Sequence, residues 1–190
     1  MIQVGRIPIT AAILGFAAAI VFAAVACGTE DSGTASGSAA TQGIIQRVLD
    51  TPTVYTIDDF KAAGVKAAKA YDVTELPGAA EAWHFIFEQK EFEARFYPDH
   101  KSAIADGTEW AEIVSGEDAV VVGDGVRWDE GSKDRRQCNR AASTPHSGCN
   151  YTARYGDFII HGNMILLCEG LSSDEALKAC VDILAAFPAT

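Results

Sequence analysis

The stretch YTARYGDFIIHGNMILLC, residues Tyr151–Cys168, decides the fold. Phe158-Ile159-Ile160 and Met164-Ile165-Leu166-Leu167 are apolar at consecutive positions, so a strand built from either run needs cover on both faces. Between them stands Gly162-Asn163, a favoured two-residue hairpin turn. Tyr151–Ile160 and Met164–Cys168 therefore read as paired strands at the centre of a sheet. A sheet buried on both sides demands helices or loops to cover it, and the rest of the chain has to supply them.

Downstream, Ser172 is placed to cap a helix, with Glu175 completing a capping box. Ala176, Leu177, Cys180, Ile183, Leu184 and Phe187 line its inner face at helical spacing. Upstream, Trp83, Phe85 and Phe87 alternate with Ala82, His84 and Ile86, and Phe92, Ala94 and Phe96 with Glu93, Arg95 and Tyr97. Two such runs about Gln89-Lys90 form a second hairpin with one aromatic face, which reads as core more readily than as a ligand cavity. Asp99 caps a helix striped by Ala103, Ile104, Gly107, Trp110, Ala111 and Val114, and Gly116 stops it. Thr56 starts another, in which Ile57, Phe60, Gly64, Ala67 and Tyr71 keep helical spacing until Leu76-Pro77-Gly78. Ala119–Val122 and Val126–Trp128 read as a short hairpin about Gly123-Asp124-Gly125, followed by a long polar loop, Asp129–Asn150. Helices and strands joined by hairpins give an α+β domain: one antiparallel sheet with helices packed on one face.

The first 26 residues have another character. Arg6 is followed by an uncharged run from Ala11 to Ala26, the layout of a secretory signal peptide. A retained membrane anchor is the other reading of that run. Ala24-Val25-Ala26-Cys27 resembles the lipobox of bacterial lipoproteins, where small residues precede a cysteine that receives a lipid. The resemblance implies cleavage before Cys27, acyl chains on that residue, and a mature protein held on the extracytoplasmic side of the cell membrane. Residues 28–43 are dominated by Gly, Ser, Thr and Ala and cannot bury enough apolar surface to offset chain entropy. They form a tether with a mean reach of roughly 20–25 Å. The organisation expected is thus a signal peptide over 1–26, lipidated cysteine and tether over 27–43, and one domain over 44–190.

Of the five cysteines, assigning Cys27 to lipid leaves Cys138, Cys149, Cys168 and Cys180. An even remainder in an exported chain reads as disulfides, and the local pairs Cys138–Cys149 and Cys168–Cys180 are expected. The spacings lack the paired CxxC pattern of zinc modules, so no metal is expected. The chain carries a net charge of −11. That balance argues against nonspecific nucleic-acid binding, which needs clustered cations.

Within this acidic chain the segment from Arg127 to Arg154 is the exception, with Arg127, Lys133, Arg135, Arg136, Arg140 and Arg154 against Asp129, Glu130 and Asp134. Arginine forks suit carboxylate, sulfate or phosphate. Arg135, Arg136, Arg140 and Lys133, flanked by Trp128 and Tyr151, are the candidate site for an anionic small molecule or an acidic envelope partner. The competing reading is a solvated, disulfide-stapled loop whose arginines pair with carboxylates of the domain itself. His84, His100, His146 and His161 share no metal-ligand spacing, and GxSxG, GxGxxG, HExxH and the P-loop are absent. No catalytic residue and no cofactor is expected. A non-catalytic binding or sensing domain is the leading function, with a cell-envelope hydrolase or a structural interaction module as alternatives.

Overall fold

The structure is a computed structural model that describes residues 45–139 and 148–187. With elements numbered in chain order, its six-stranded sheet runs β1 (Val48–Leu49), β7 (Tyr155–His161), β8 (Met164–Glu169), β4 (Lys90–Phe96), β3 (Glu81–Phe87), β2 (Lys66–Tyr71). The hairpin about Gly162-Asn163 forms as expected, with His161 opposite Met164, and β8 takes a central place between β7 and β4. All pairings in this sheet are antiparallel except that of β1 with β7, so the sheet is mixed at one edge. The α+β class holds.

Helices cover both faces, not one. On the first face, α1 (Ile57–Ala62) and α3 (Ser173–Ala185) bury Ile57, Phe60, Ala176, Cys180 and Ile183 against Phe85, Phe92, Phe96, Met164 and Leu166. The aromatic side of the β3–β4 hairpin is thus core. On the second face, Ala103, Ala111 and Val114 pack on Tyr97, Phe158, Ile165 and Leu167. Ala103 and Ala111 belong to α2, a helix over 100–112 whose middle turn, Ala103–Gly107, is π-helical between His100–Ser102 and Thr108–Glu112, and Val114 lies in the turn that follows it. Residues of β7 and β8 alternate between the two clusters, which is why their sequence is apolar without a break. The disulfide Cys168–Cys180 ties β8 to α3, with Cα atoms 5.7 Å apart. A second, Cys138–Cys149 (5.4 Å), staples a small ribbon of β5 (Arg136–Cys138) and β6 (Tyr151–Ala153).

Local physics overrides the sequence pattern at three places. The helix expected through Tyr71 stops at Ala63, because Gly64 (φ +91°) closes it with Gly64 N–H donating to Lys61 and Val65 N–H to Phe60. This is a Schellman cap, and Phe60 and Val65 make its apolar contact. The chain then enters β2. In α2 the π-turn inserts a residue, so the buried positions run Ala103, Gly107, Ala111, while Ile104 turns outward. Ala119–Val122 is irregular, as its Val120 N–H bonds back to the Ile113 carbonyl and no strand among the described residues pairs with it.

Candidate functional site

The basic segment does not gather its cations at the surface. Arg135 is 1% exposed, and its Nε donates to Glu93 Oε2 at 2.8 Å. Glu93 Oε1 accepts from Arg95 Nε at 2.7 Å, so one carboxylate on β4 is clasped by two guanidiniums. All three side chains are at most 2% exposed. Trp128 is buried beside them, with Arg135 Cζ 4.0 Å and Arg95 Cζ 5.4 Å from its ring centre. Arg135 and Trp128 are thus taken up by the fold and do not form the surface anion site expected from composition. The reason is that desolvating a guanidinium costs several kcal/mol unless a carboxylate accompanies it, and Glu93 provides that carboxylate. Arg136 lies elsewhere, over the Tyr151 ring at 4.4 Å, and Lys133 is exposed. Arg140 and His146 lie outside the described residues, as do Cys27 and the tether.

Electrostatics in this cluster follow from its burial. Burial works to raise the Glu93 pKa, but Arg135 and Arg95 outweigh it and hold the carboxyl below its usual range. The hydroxyls of Tyr97 and Tyr155 stand close by on the same face of the sheet. Burial pushes Tyr97 up to about 12, with Arg95 opposing. Tyr155 is also raised by burial, with Glu93 adding to the rise. Both remain protonated phenols at any physiological pH.

An open cleft of about 530 Å³ lies where three segments meet. One wall is the irregular stretch from Gly116 to Val122, another is the β5–β6 ribbon, and the third is the turn Gly170–Ser173 that leads into α3. Tyr155 and Gly156 of β7 form its floor. Gly156 is needed there because a Cβ would sit 2.6 Å from the Ser172 carbonyl oxygen and 2.7 Å from that of Gly170. Three large apolar side chains stand unburied at this site: Leu171 (85% exposed), Val122 (43%) and Tyr151 (42%). Gln137, Asn139 and Thr152 supply amide and hydroxyl groups, and Glu117 is its single charged residue among those described. Neither histidine, lysine, arginine nor a half-cystine lines it among the described residues.

The described histidines each have a neighbour in the fold. His84 Nε2 lies 2.9 Å from Glu91 Oε2, which is part of a surface network with Arg154. His100 Nδ1 meets the Gly162 carbonyl, and His161 sits against the Tyr55 ring. No group of three or more His, Cys, Asp or Glu side chains is arranged to hold a metal ion among the described residues. Nor is any described helix long and apolar enough to cross a membrane. Of the described site residues expected from sequence, Tyr151 alone lines the cleft. Glu93 and Arg95 were legible only as the polar face of a hairpin, and Leu171 carried no signal beyond being one apolar residue before a helix cap.

A family model matches residues 56–189, from the cap of α1 to the end of the chain's last segment. The chain belongs to DUF6810, a family of unknown function. The match spans the whole sheet apart from β1, all three helices and the cleft, so DUF6810 covers the folded domain except its first strand. No curated protein and no solved structure matches the chain.

Proposed function

We propose that this DUF6810 protein is a lipid-anchored extracytoplasmic domain that binds, without catalysis, a neutral ligand bearing an apolar face. The observation that carries the reading is the cleft itself, where Leu171, Val122 and Tyr151 stand exposed around amide and hydroxyl groups. Exposed apolar side chains concentrated at a concave site mark a binding surface, whereas scattered ones do not. Glu117 as the charged residue of the described lining, with Arg136 at its rim already engaged on the Tyr151 ring, favours a neutral ligand over the anionic one that the loop's composition suggested. A hydrolase needs a base within hydrogen-bond reach of a nucleophile. Ser173 Oγ does donate to a carboxylate, Asp157, but that carboxylate is already held by Arg47 and the Phe158 N–H, and no histidine among the described residues lines the cleft to act in its place. A structural module would present a flat face at this place. The anchor rests on the lipobox-like Ala24–Cys27, the small polar tether after it, and disulfides of the kind exported proteins keep.

Protein extracted from membranes tests both halves. Mass spectrometry should find acyl chains on a first peptide that begins at Cys27. Neutral envelope glycan fragments and short apolar peptides, screened by thermal shift, should include compounds that raise the melting temperature. Leu171→Asp combined with Tyr151→Ala should abolish that rise and leave the unliganded melting temperature nearly unchanged. An unmodified N-terminus would defeat the anchor, and a ligand response that survives the double substitution would defeat the cleft.

A further inference from the structure

The interior beneath the second face of the sheet holds more positive than negative charge. Among the described residues, Arg95 and Arg135 share Glu93 as their sole carboxylate partner, although both are buried. Arg135 Nη1 finds the Trp128 carbonyl at 3.2 Å, but Arg135 Nη2 and the Nη atoms of Arg95 find no acceptor of good geometry there. The Tyr155 hydroxyl is likewise buried without a described partner, and the Tyr97 hydroxyl has only the Arg95 guanidinium, itself a donor, beside it. Buried donors normally find acceptors, and an orphaned group calls for an occupant. Donors left over on two guanidiniums and two phenols of one neighbourhood call for an acceptor they share.

Charge narrows the identity of that acceptor. Arginine does not give up its proton in proteins, and the raised pKa values of Tyr97 and Tyr155 keep both phenols neutral. Other carboxylates that act on these groups are committed elsewhere or face solvent: Asp134 accepts from the Tyr71 hydroxyl, Glu91 pairs with Arg154 and His84, and Asp106, which also acts on the Tyr97 hydroxyl, is exposed on α2. Water would satisfy the N–H groups yet leave one positive charge in a dry interior. We propose that Arg95 and Arg135, with the Tyr97 and Tyr155 hydroxyls as further donors, hold a small monovalent anion of the halide class. The excess of one charge sets the valence, and the close packing of the segments around these donors favours a compact ion over a carboxylate or a phosphate. Two glycines let the surrounding segments close over it. A Cβ at Gly107, on the π-turn of α2, would lie 2.5 Å from the Tyr97 hydroxyl, and one at Gly131 would lie 2.9 Å from Arg135 Nη2. The π-turn thus has a place in the site, consistent with the frequent occurrence of such turns where a helix serves a function. This site is separate from the ligand cleft, although Tyr155 belongs to both.

Full-length protein in detergent is the material for the test, with chloride varied against gluconate at constant ionic strength. An anion bound only by the folded state stabilises it by mass action, so chloride at a hundredfold excess over Kd should raise Tm by about 5–10 °C. In Arg95→Met the rise should vanish, and in Tyr97→Phe it should shrink and need severalfold more chloride. Should Arg95→Met fail to fold, Tyr97→Phe decides, because it removes one hydroxyl and keeps the ring. Bromide should give an anomalous peak between Arg95 and Arg135 in crystals. A Tm indifferent to chloride in the unmodified protein, an equal chloride response in the variants, or only water beside Arg95 in bromide-soaked crystals would each overturn the proposal.

Discussion

Glu93 carries more of the molecule than its place on an alternating strand announces. Its two oxygens each accept from a guanidinium, and no solvent reaches any of the three side chains to replace a lost bond. Because its pKa falls on folding, the linkage has a definite sign. Stability from Glu93 is fully present above the unfolded carboxyl value, near 4.3, and is lost as pH drops through the lower folded value. The urea midpoint should therefore decline below about pH 4.5, beyond what exposed carboxyls such as Asp72 and Asp99, also lowered by local hydrogen bonds, contribute. Glu93→Gln should lose roughly 3–5 kcal/mol at neutral pH, since it leaves two guanidiniums facing a neutral amide. Its urea midpoint should also be flatter below pH 4.5 than that of the unmodified protein. A Gln variant as stable as its parent, with the same acid limb, would mean that the buried pairs contribute nothing.

Element boundaries turn on single backbone conformations. At Gly64, φ is +91° and the space where a Cβ would stand is empty, so substitution meets backbone strain without a clash. Gly64→Ala should cost about 1–2 kcal/mol in urea denaturation, and a neutral result would deny the left-handed cap its role in ending α1. The same glycine explains a misreading. Ile57, Phe60, Gly64, Ala67 and Tyr71 keep helical spacing across it, and periodicity cannot see a positive φ. The hairpin at Gly162-Asn163, the helix capped by Ser172 and both disulfides were legible because each signal is local: a turn dipeptide, a cap, two nearby cysteines. Glu93 and Arg95 read only as the alternates to an aromatic strand face, since nothing nearby in sequence tells that residues 128–135 fold over them. The cleft was illegible for a related reason, as its walls come from segments near Val122, Tyr151 and Leu171 that meet only in the folded sheet. The basic loop was read by composition, which counts arginines without knowing which way each one faces.

Across the whole molecule, the sheet separates two kinds of interior. One side is apolar and cross-linked from β8 to α3, while the other mixes apolar packing with buried charge under the 128–135 segment. The disulfides follow this division in accessibility. Cys168 and Cys180 are both fully buried, whereas Cys138 is exposed and Cys149 partly so. Thiol–disulfide exchange requires a thiolate to reach a sulfur atom, so the two bonds should open in order. Mild reductant under native conditions, followed by alkylation and peptide mapping, should label Cys138 and Cys149 and spare Cys168 and Cys180 until denaturant is added. The singly reduced protein should keep its urea midpoint within the cost of releasing the β5–β6 ribbon but bind cleft ligands more weakly, because Cys138 and Cys149 staple the ribbon that forms one wall. Removing the buried bond by Cys168→Ala with Cys180→Ala should instead cost roughly 3 kcal/mol of global stability, the chain-entropy value for a loop of this length. Simultaneous labelling of all four cysteines in the native state would show that α3 detaches from β8 far more readily than its burial allows.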